Sequence, residues 1–346
     1  MAESTLSATI TEIRLAILNY LGMNLTYSGL STEEKSIIDL ILKRGLRQFY
    51  FPPSNVVQTG QRTGITIPPY EWSFLKPITE IDLIGSYVTG TLTVTELDST
   101  VLLTDGVWPS WTATNGTLVI DSVAYEIASR TDDTHIELVE AWALDTEDLV
   151  SYTLRHNGNY DLPDDFGGIE GNLVHAEGSN RPDVRIIGEG KIRSLRATTT
   201  LRTYPEFAAI RPKKQTITTT GQRFEILFFP IPAVAYTLKY RMLVLPELLV
   251  DTTLTHPYGG AMHAETIIAS CLAIAESQED EVRGVKWQEF MDRLAASIEI
   301  DKKMISADFF GYNRDYSDSA HRTGGRRHPP TTIARYEPGP YGEGGY

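Results

Sequence analysis

The sequence predicts an α+β chain: a helical core with a short antiparallel sheet, an inserted small all-β barrel or sandwich, and an extended C-terminal arm. Three observations predict it. Apolar residues recur at helical spacing near the start of the chain and again late in it. Between Tyr87 and Arg155 that period gives way to short alternating runs rich in Thr and Val. Residues 318–346 hold ten Gly or Pro and almost no aliphatics, so they cannot bury a core of their own. The boundaries that follow are 1–86 for the first helical part, 87–157 for the β insert, 158–317 for the rest of the core and 318–346 for the arm.

Ile10, Ile13, Ile17 and Leu21 define a first helix, and Gly22 supplies its stop. Ser31-Thr32-Glu33-Glu34 fits a capping box, which starts a second helix whose apolar face is Ile37, Ile38, Ile41, Leu42 and Leu46. Pro52-Pro53 ends it, and the short loop between the two helices predicts an antiparallel pair. Tyr70–Leu75 is an aromatic cluster on a short segment. The insert offers strands at 91–95, 101–104, 117–121, 124–129, 135–139 and 150–154, with turn residues between them. After it, Leu162–Phe166 enters a loop and Val184–Ala197 reads as a helix. Strands at 206–211, 223–229 and 236–243 follow, and Tyr236, Leu238, Tyr240 and Met242 alternate with polar positions in the last. Two helices close the folded part. One carries Ala264, Ile267, Ile268, Cys271 and Ile274 on one face, the other Trp287, Met291, Leu294 and Ile298.

Composition limits the chemistry. The 346 residues carry a formal charge of −14, which opposes a general grip on phosphate backbones. Cys271 is the only cysteine, so an intrachain disulfide, a two-thiolate zinc site and a CxxC redox pair are excluded. The first residues lack the basic-then-apolar pattern of a secretory signal, and no apolar run approaches the ~18 residues of a membrane span. We therefore expect a chain made in a cytosol-like compartment, with no membrane partner. His175-Ala176-Glu177 and His263-Ala264-Glu265 match the H-x-E of zinc deaminases, but the thiolate pair that chemistry needs is missing. There is no HExxH, phosphate loop or GxSxG elbow, and no catalytic, cofactor-binding or metal residue is assigned.

Three groups remain candidates. Residues 181–214 oppose the overall charge, with Arg181, Arg185, Lys191, Arg193, Arg196, Arg202, Arg211, Lys213 and Lys214 set against three acids. That net +6 suits either a face toward DNA or an acidic partner, or a helix paired with the acidic remainder of the chain. Asp161, Asp164 and Asp165 could be catalytic carboxylates of a hydrolase or calcium ligands, though without EF-hand spacing, or turn formers beside Pro163. Trp72, Trp108, Trp111 and Trp142 could be stacking platforms for sugar or bases, the last three in a glycan- or receptor-binding module carried by the β insert, or packing residues.

The order of motifs resembles the adaptor, or head-to-tail connector, proteins of tailed bacteriophages. The likeness is carried by the opening helical pair ending in Gly45–Tyr50, by Tyr70–Leu75, by Tyr160–Phe166, and by Gly221–Asp315 with its GQRFEILFFPIPAVAYTLKYRM, HAETIIASCLAIAE and GYNRD stretches. The 91–154 region also resembles β inserts of phage structural proteins. The resemblance implies a connector-type helical core and no enzymatic activity or cofactor. It implies a virion protein of the head-tail junction that assembles into a twelve-fold ring, joins the portal protein to a tail protein (nozzle or tube), and continues the channel for passing double-stranded DNA. It also implies a C-terminal arm on the portal, where Arg322, Arg326, Arg327, Arg335, Tyr336, Tyr341 and Tyr346 are the docking candidates.

Overall fold

The computed structural model describes residues 4–23, 26–52, 56–59, 62–66, 70–214, 221–251 and 255–304. The chain divides into two compact units, 1–300 and 301–346. The elements below belong to the first unit, apart from the last turn of the final helix. The arm residues 318–346 lie outside the described residues.

Helix α1 (Ile10–Tyr20) starts on a capping box: Thr9 Oγ1 accepts from the Glu12 N–H while the Glu12 carboxylate accepts from that of Thr9. Helix α2 (Thr32–Tyr50) repeats the device with Ser31 and Glu34. Each box satisfies donors that a helix start otherwise leaves open. Gly22 then turns the chain away from α1 at φ 63°, where a side chain would be strained. Strands β1 (Val56–Thr59) and β2 (Arg62–Thr66) form a hairpin, and β3 (Ile78–Leu83) follows.

The next seven strands make one antiparallel sheet. They are β4 (Thr91–Val94), β5 (Thr100–Thr104), β6 (Gly116–Ile120), β7 (Val123–Arg130), β8 (His135–Leu138), β9 (Glu147–Val150) and β10 (Tyr152–His156). A single helical turn, α3 (Thr112–Asn115), precedes β6. The order is β10-β6-β7-β8-β5-β4-β9, so the two edge strands are consecutive in sequence. Val150 pairs with Leu92 on one edge and Tyr152 pairs with Ile120 on the other, with Ser151 alone between them. One bent strand thus carries both edges, which lie within about 7 Å of each other along the chain. The sheet is curled around a core of its own that includes Leu92, Val94, Leu118, Ile136, Trp108, Trp142 and Leu154. All six strands expected in this region are present, and the expected 150–154 strand is divided at Ser151 between β9 and β10.

The remaining strands differ more from expectation. They are β11 (Asn159–Asp161), β12 (Phe166–His175), β13 (Arg185–Ile186), β14 (Arg202–Thr203), β15 (Phe207–Pro212), β16 (Phe224–Phe229), β17 (Ile231–Pro232) and β18 (Tyr236–Val244), with helix α4 (Glu189–Thr198) between β13 and β14. The expected helix over 184–197 is therefore corrected: Arg185–Ile186 pairs in parallel with Phe207–Ala208, and the helix starts only after Gly188. The three expected strands do not share one sheet. Strands β15 and β16 join β11 and β13, whereas β18 lies between β12 and β3. Strands β3 and β12 were not expected, because their polar and glycine-rich runs lack a clean alternation; β18 supplies the partner that holds them.

Helices α5 (Gly260–Glu279) and α6 (Val285–Met304) complete the fold. Helix α5 is buried on most sides, including Ala264, Ile267, Ala269, Cys271, Ala273 and Ala275. It meets α2 so closely that a Cβ on Gly45 would stand 2.6 Å from Cys271 Sγ and 2.7 Å from its Cα. Ser270 Oγ donates to the Gly45 carbonyl at 2.8 Å across the same contact. On α2, Ile38, Ile41, Leu42, Leu46 and Phe49 are buried, but Ile37 is exposed, a correction to its place on the core face. On α6 the deepest residue is Phe290, which joins Leu294 against the helical core.

Candidate functional site

The aromatic segment is a packing lock. Trp72 is fully buried, its ring 4.8 Å from Phe49 and 5.2 Å from Phe74 and His263. Its Nε1–H donates to the Phe49 carbonyl at 2.8 Å. This fastens 70–75 to the end of α2 and the start of α5. The insert's tryptophans behave alike. Trp108 and Trp142 are buried, donating to the carbonyls of Thr134 and Asp145, and the half-buried Trp111 packs edge-on to His156. Trp72, Trp108 and Trp142 thus form core, not an exposed sugar platform.

The aspartate loop is arranged for ion pairing. Asp161 meets Lys213 at 2.7 Å and Asp164 meets Arg223 at 3.1 Å. These pairs tie 161–164 to β15, β16 and their flanks, the role of turn and brace. No cluster of His, Cys, Asp or Glu suited to a metal ion occurs among the described residues.

The basic segment is divided by the fold. Arg211 is held by Glu225 at 2.6 Å, Arg193 by Glu189 at 3.5 Å, and Arg181 lies over the rings of Tyr236 and Tyr204. Arg196 points inward, which corrects its place in an outward-facing series: it donates to Asn159 Oδ1 and to the carbonyls of Gly158 and Phe228 at 2.7–3.0 Å. Burial, then the neighbouring Arg211, pulls it down to about 10, still a cation at neutral pH. Arg185, Lys191 and Lys214 are exposed and make no ion pair among the described residues.

Arg196 and Arg202 surround a junction. The chain enters the curled sheet past Tyr87 and leaves it through β10, and the two strands are bridged at Tyr87 and Leu154. Tyr160, just beyond, accepts from the Ile84 N–H at 3.0 Å. His156 sits between, 2% exposed and stacked on Tyr160 at 4.5 Å. Its Nδ1 accepts from the Gly158 N–H at 3.0 Å, and its carbonyl accepts from Arg202. Burial, with the charges of Arg202 and Arg196, pushes the imidazole down to about 4 and keeps it neutral.

The acidic corner between α5 and α6 also has a defined job. Glu276 is buried and accepts from the N–H groups of Gly284, Lys286 and Trp287 at 2.9–3.0 Å. Burial pushes its pKa up, but these three donors together hold it below the usual carboxylate range. It caps the start of α6 from the preceding helix.

Beside that corner lies a groove of about 420 Å³ between α2, α5 and the start of α6. Phe51, Ile274 and Trp287 give it an apolar lining, while Arg44, Arg47 and Arg283 stand around it. The sequence held a signal for it: exposed Ile37, Leu40, Arg44, Arg47 and Phe51 recur at three- and four-residue steps. That spacing makes a stripe opposite the buried face of α2.

Comparison with known proteins supplies a family. A family model described as SU10 adaptor protein matches residues 94–314, well over half of the chain. The chain belongs to the SU10 adaptor protein family. No curated protein matches it. The matched span of this adaptor runs from the end of β4 through the rest of the curled sheet, the strands β11 to β18 and the last two helices. Helices α1 and α2 lie before it. The expected phage-adaptor family is thereby established, and with it a phage structural protein of the virion. Among the described residues no helix is long and apolar enough to cross a membrane.

Proposed function

We propose that this adaptor forms the ring that joins the portal vertex of the capsid to the tail and continues the channel for the genome. The family match carries this reading. The charge balance supports it: a wall of net −14 chains does not trap a sliding phosphate backbone. Copies in such a ring meet through two different surfaces that close on one another. Residues 318–346, with Arg322, Arg326, Arg327, Arg335, Tyr336, Tyr341 and Tyr346, dock on the portal protein, and a nozzle or tube protein binds below. A Gly/Pro-rich segment of this kind suits addition to an existing sheet edge. Of the basic segment, exposed Arg185, Lys191 and Lys214 are the groups open to DNA or an acidic partner.

The test mixes the full chain with its portal protein and looks for rings by negative-stain microscopy. Rings on the portal are expected, and their loss with the 1–317 truncation is expected as well. Unimpaired portal binding by that truncation would sink the role of the arm, and absence of rings with the full chain would sink the ring.

A further inference from the structure

The groove beside α2 has the chemistry of half an interface. Exposed Arg44, Arg47 and Arg283 make no ion pair among the described residues; Arg283 lies instead over the Trp287 ring at 4.4 Å. The Gln48 amide nitrogen is buried in the groove wall with no acceptor among the described residues. Phe51 in its lining is 45% exposed, and beyond the groove Ile37 and Leu40 continue an apolar stripe along α2. Phosphate backbones do not select such a stripe, whereas a protein segment with carboxylates around apolar side chains fits it.

The same chain carries such a segment. At one end of the curled sheet, residues 96–98 and 139–149 are tied together: the Leu97 N–H donates to the Trp142 carbonyl, the Trp142 N–H to that of Asp98, and the Glu96 N–H to Thr146 Oγ1. This end exposes Glu96, Asp98, Glu140, Asp145, Glu147 and Asp148, none paired with a cation among the described residues, and has no Lys or Arg. Among these carboxylates Leu97 is 78% exposed and Leu149 72%. The 318–346 arm, mildly basic, is the wrong sign for the groove.

We propose that the α2 groove of one copy receives the acidic, leucine-tipped end of the curled sheet of a second copy, as the repeating contact of the assembly. The contact is heterologous: groove and tip are different surfaces, so each copy offers one of each and the contact can propagate until it closes. Glu147 and Asp148 face Arg44 and Arg47, and Leu149 enters between Phe51 and Trp287. This rests on the ring reading.

Charge reversal on the full-length chain tests it, read by sedimentation velocity over a concentration series. The wild type is expected to self-associate, more weakly as salt rises. Arg44→Glu with Arg47→Glu, and separately Glu147→Lys with Asp148→Lys, should each weaken self-association by at least ~10-fold. Mixing the two variants should restore it to within ~3-fold of wild type, because each surface again meets its opposite. A role for the carboxylates as mere guards of an open sheet edge would be indifferent to their sign. Self-association unchanged in both variants, no rescue on mixing, or no self-association of the wild type would overturn the proposal. So would loss of binding to a short DNA duplex in the arginine variant while self-association persists. Rings on the portal that survive both reversals would reject this contact and leave the ring standing; no rings with any chain would reject the ring itself.

Discussion

The curled sheet and the helical layer are both built on buried aromatic residues, yet they are assembled from opposite kinds of contact. Every core residue of the sheet comes from Leu92 to Leu154, and β4–β5 and β6–β7 are hairpins of near neighbours. The helical core joins Ile13 and Phe49 to Cys271 and Phe290, more than 200 residues on. Local pairing shows in a sequence as alternation and turns. A contact between distant helices shows only as an apolar stripe with no indication of what it meets.

Four measurements bear on this contrast. Trp108→Ala removes a fully buried indole and should cost about 3–5 kcal/mol. Hydrogen exchange should quicken across β5–β8 while α2 and α5 stay protected; equal loosening of both would make the two regions one cooperative body. Gly45→Val drives a branched side chain into Cys271 and should cost about 3 kcal/mol, with the protection lost in the reverse pattern.

The third test is where the curled sheet joins the smaller sheets. His156 is pushed down to about 4 in the fold, against an ordinary value near 6.5 in the unfolded chain. The unfolded chain therefore binds the proton first. Stability is complete above pH 6.5 and falls as the pH drops toward 4, by ~3 kcal/mol in all. His156→Asn keeps an acceptor for the Gly158 N–H and should flatten this part of the urea-midpoint profile; an unchanged acid slope would reject the assignment. The smallest effect is expected of Glu276→Ala, which uncaps α6 and should cost about 1–2 kcal/mol in thermal melts, leaving the sheet's exchange rates unaltered.

Particular residues show how far the sequence could be read. Ser31 and Glu34 announced the start of α2, and the alternation of Tyr236–Met242 announced β18. Arg185-Ile186 misled, because the same apolar positions serve a short parallel strand that only β15, twenty residues later, can stabilise. The basic segment was visible as charge, but charge has no direction in a sequence. Arg196 turned inward to carbonyls, whereas Arg44 and Arg47, unremarkable in composition, remained open beside an apolar groove.

The residues alone were enough for the capped start of α2, the six strands of the insert, the lack of a second thiol and the order of motifs that pointed to a phage adaptor. These depend on residue type and on spacings of two to four, which belong to the chain before it folds. The tertiary structure decided that β9 and β10 carry both edges of one curled sheet, that β15 and β18 belong to different sheets, and which arginines remain exposed. Those outcomes depend on pairings between residues far apart in sequence, where burial and the partner at hand, rather than the residue's own preference, set the lowest free energy.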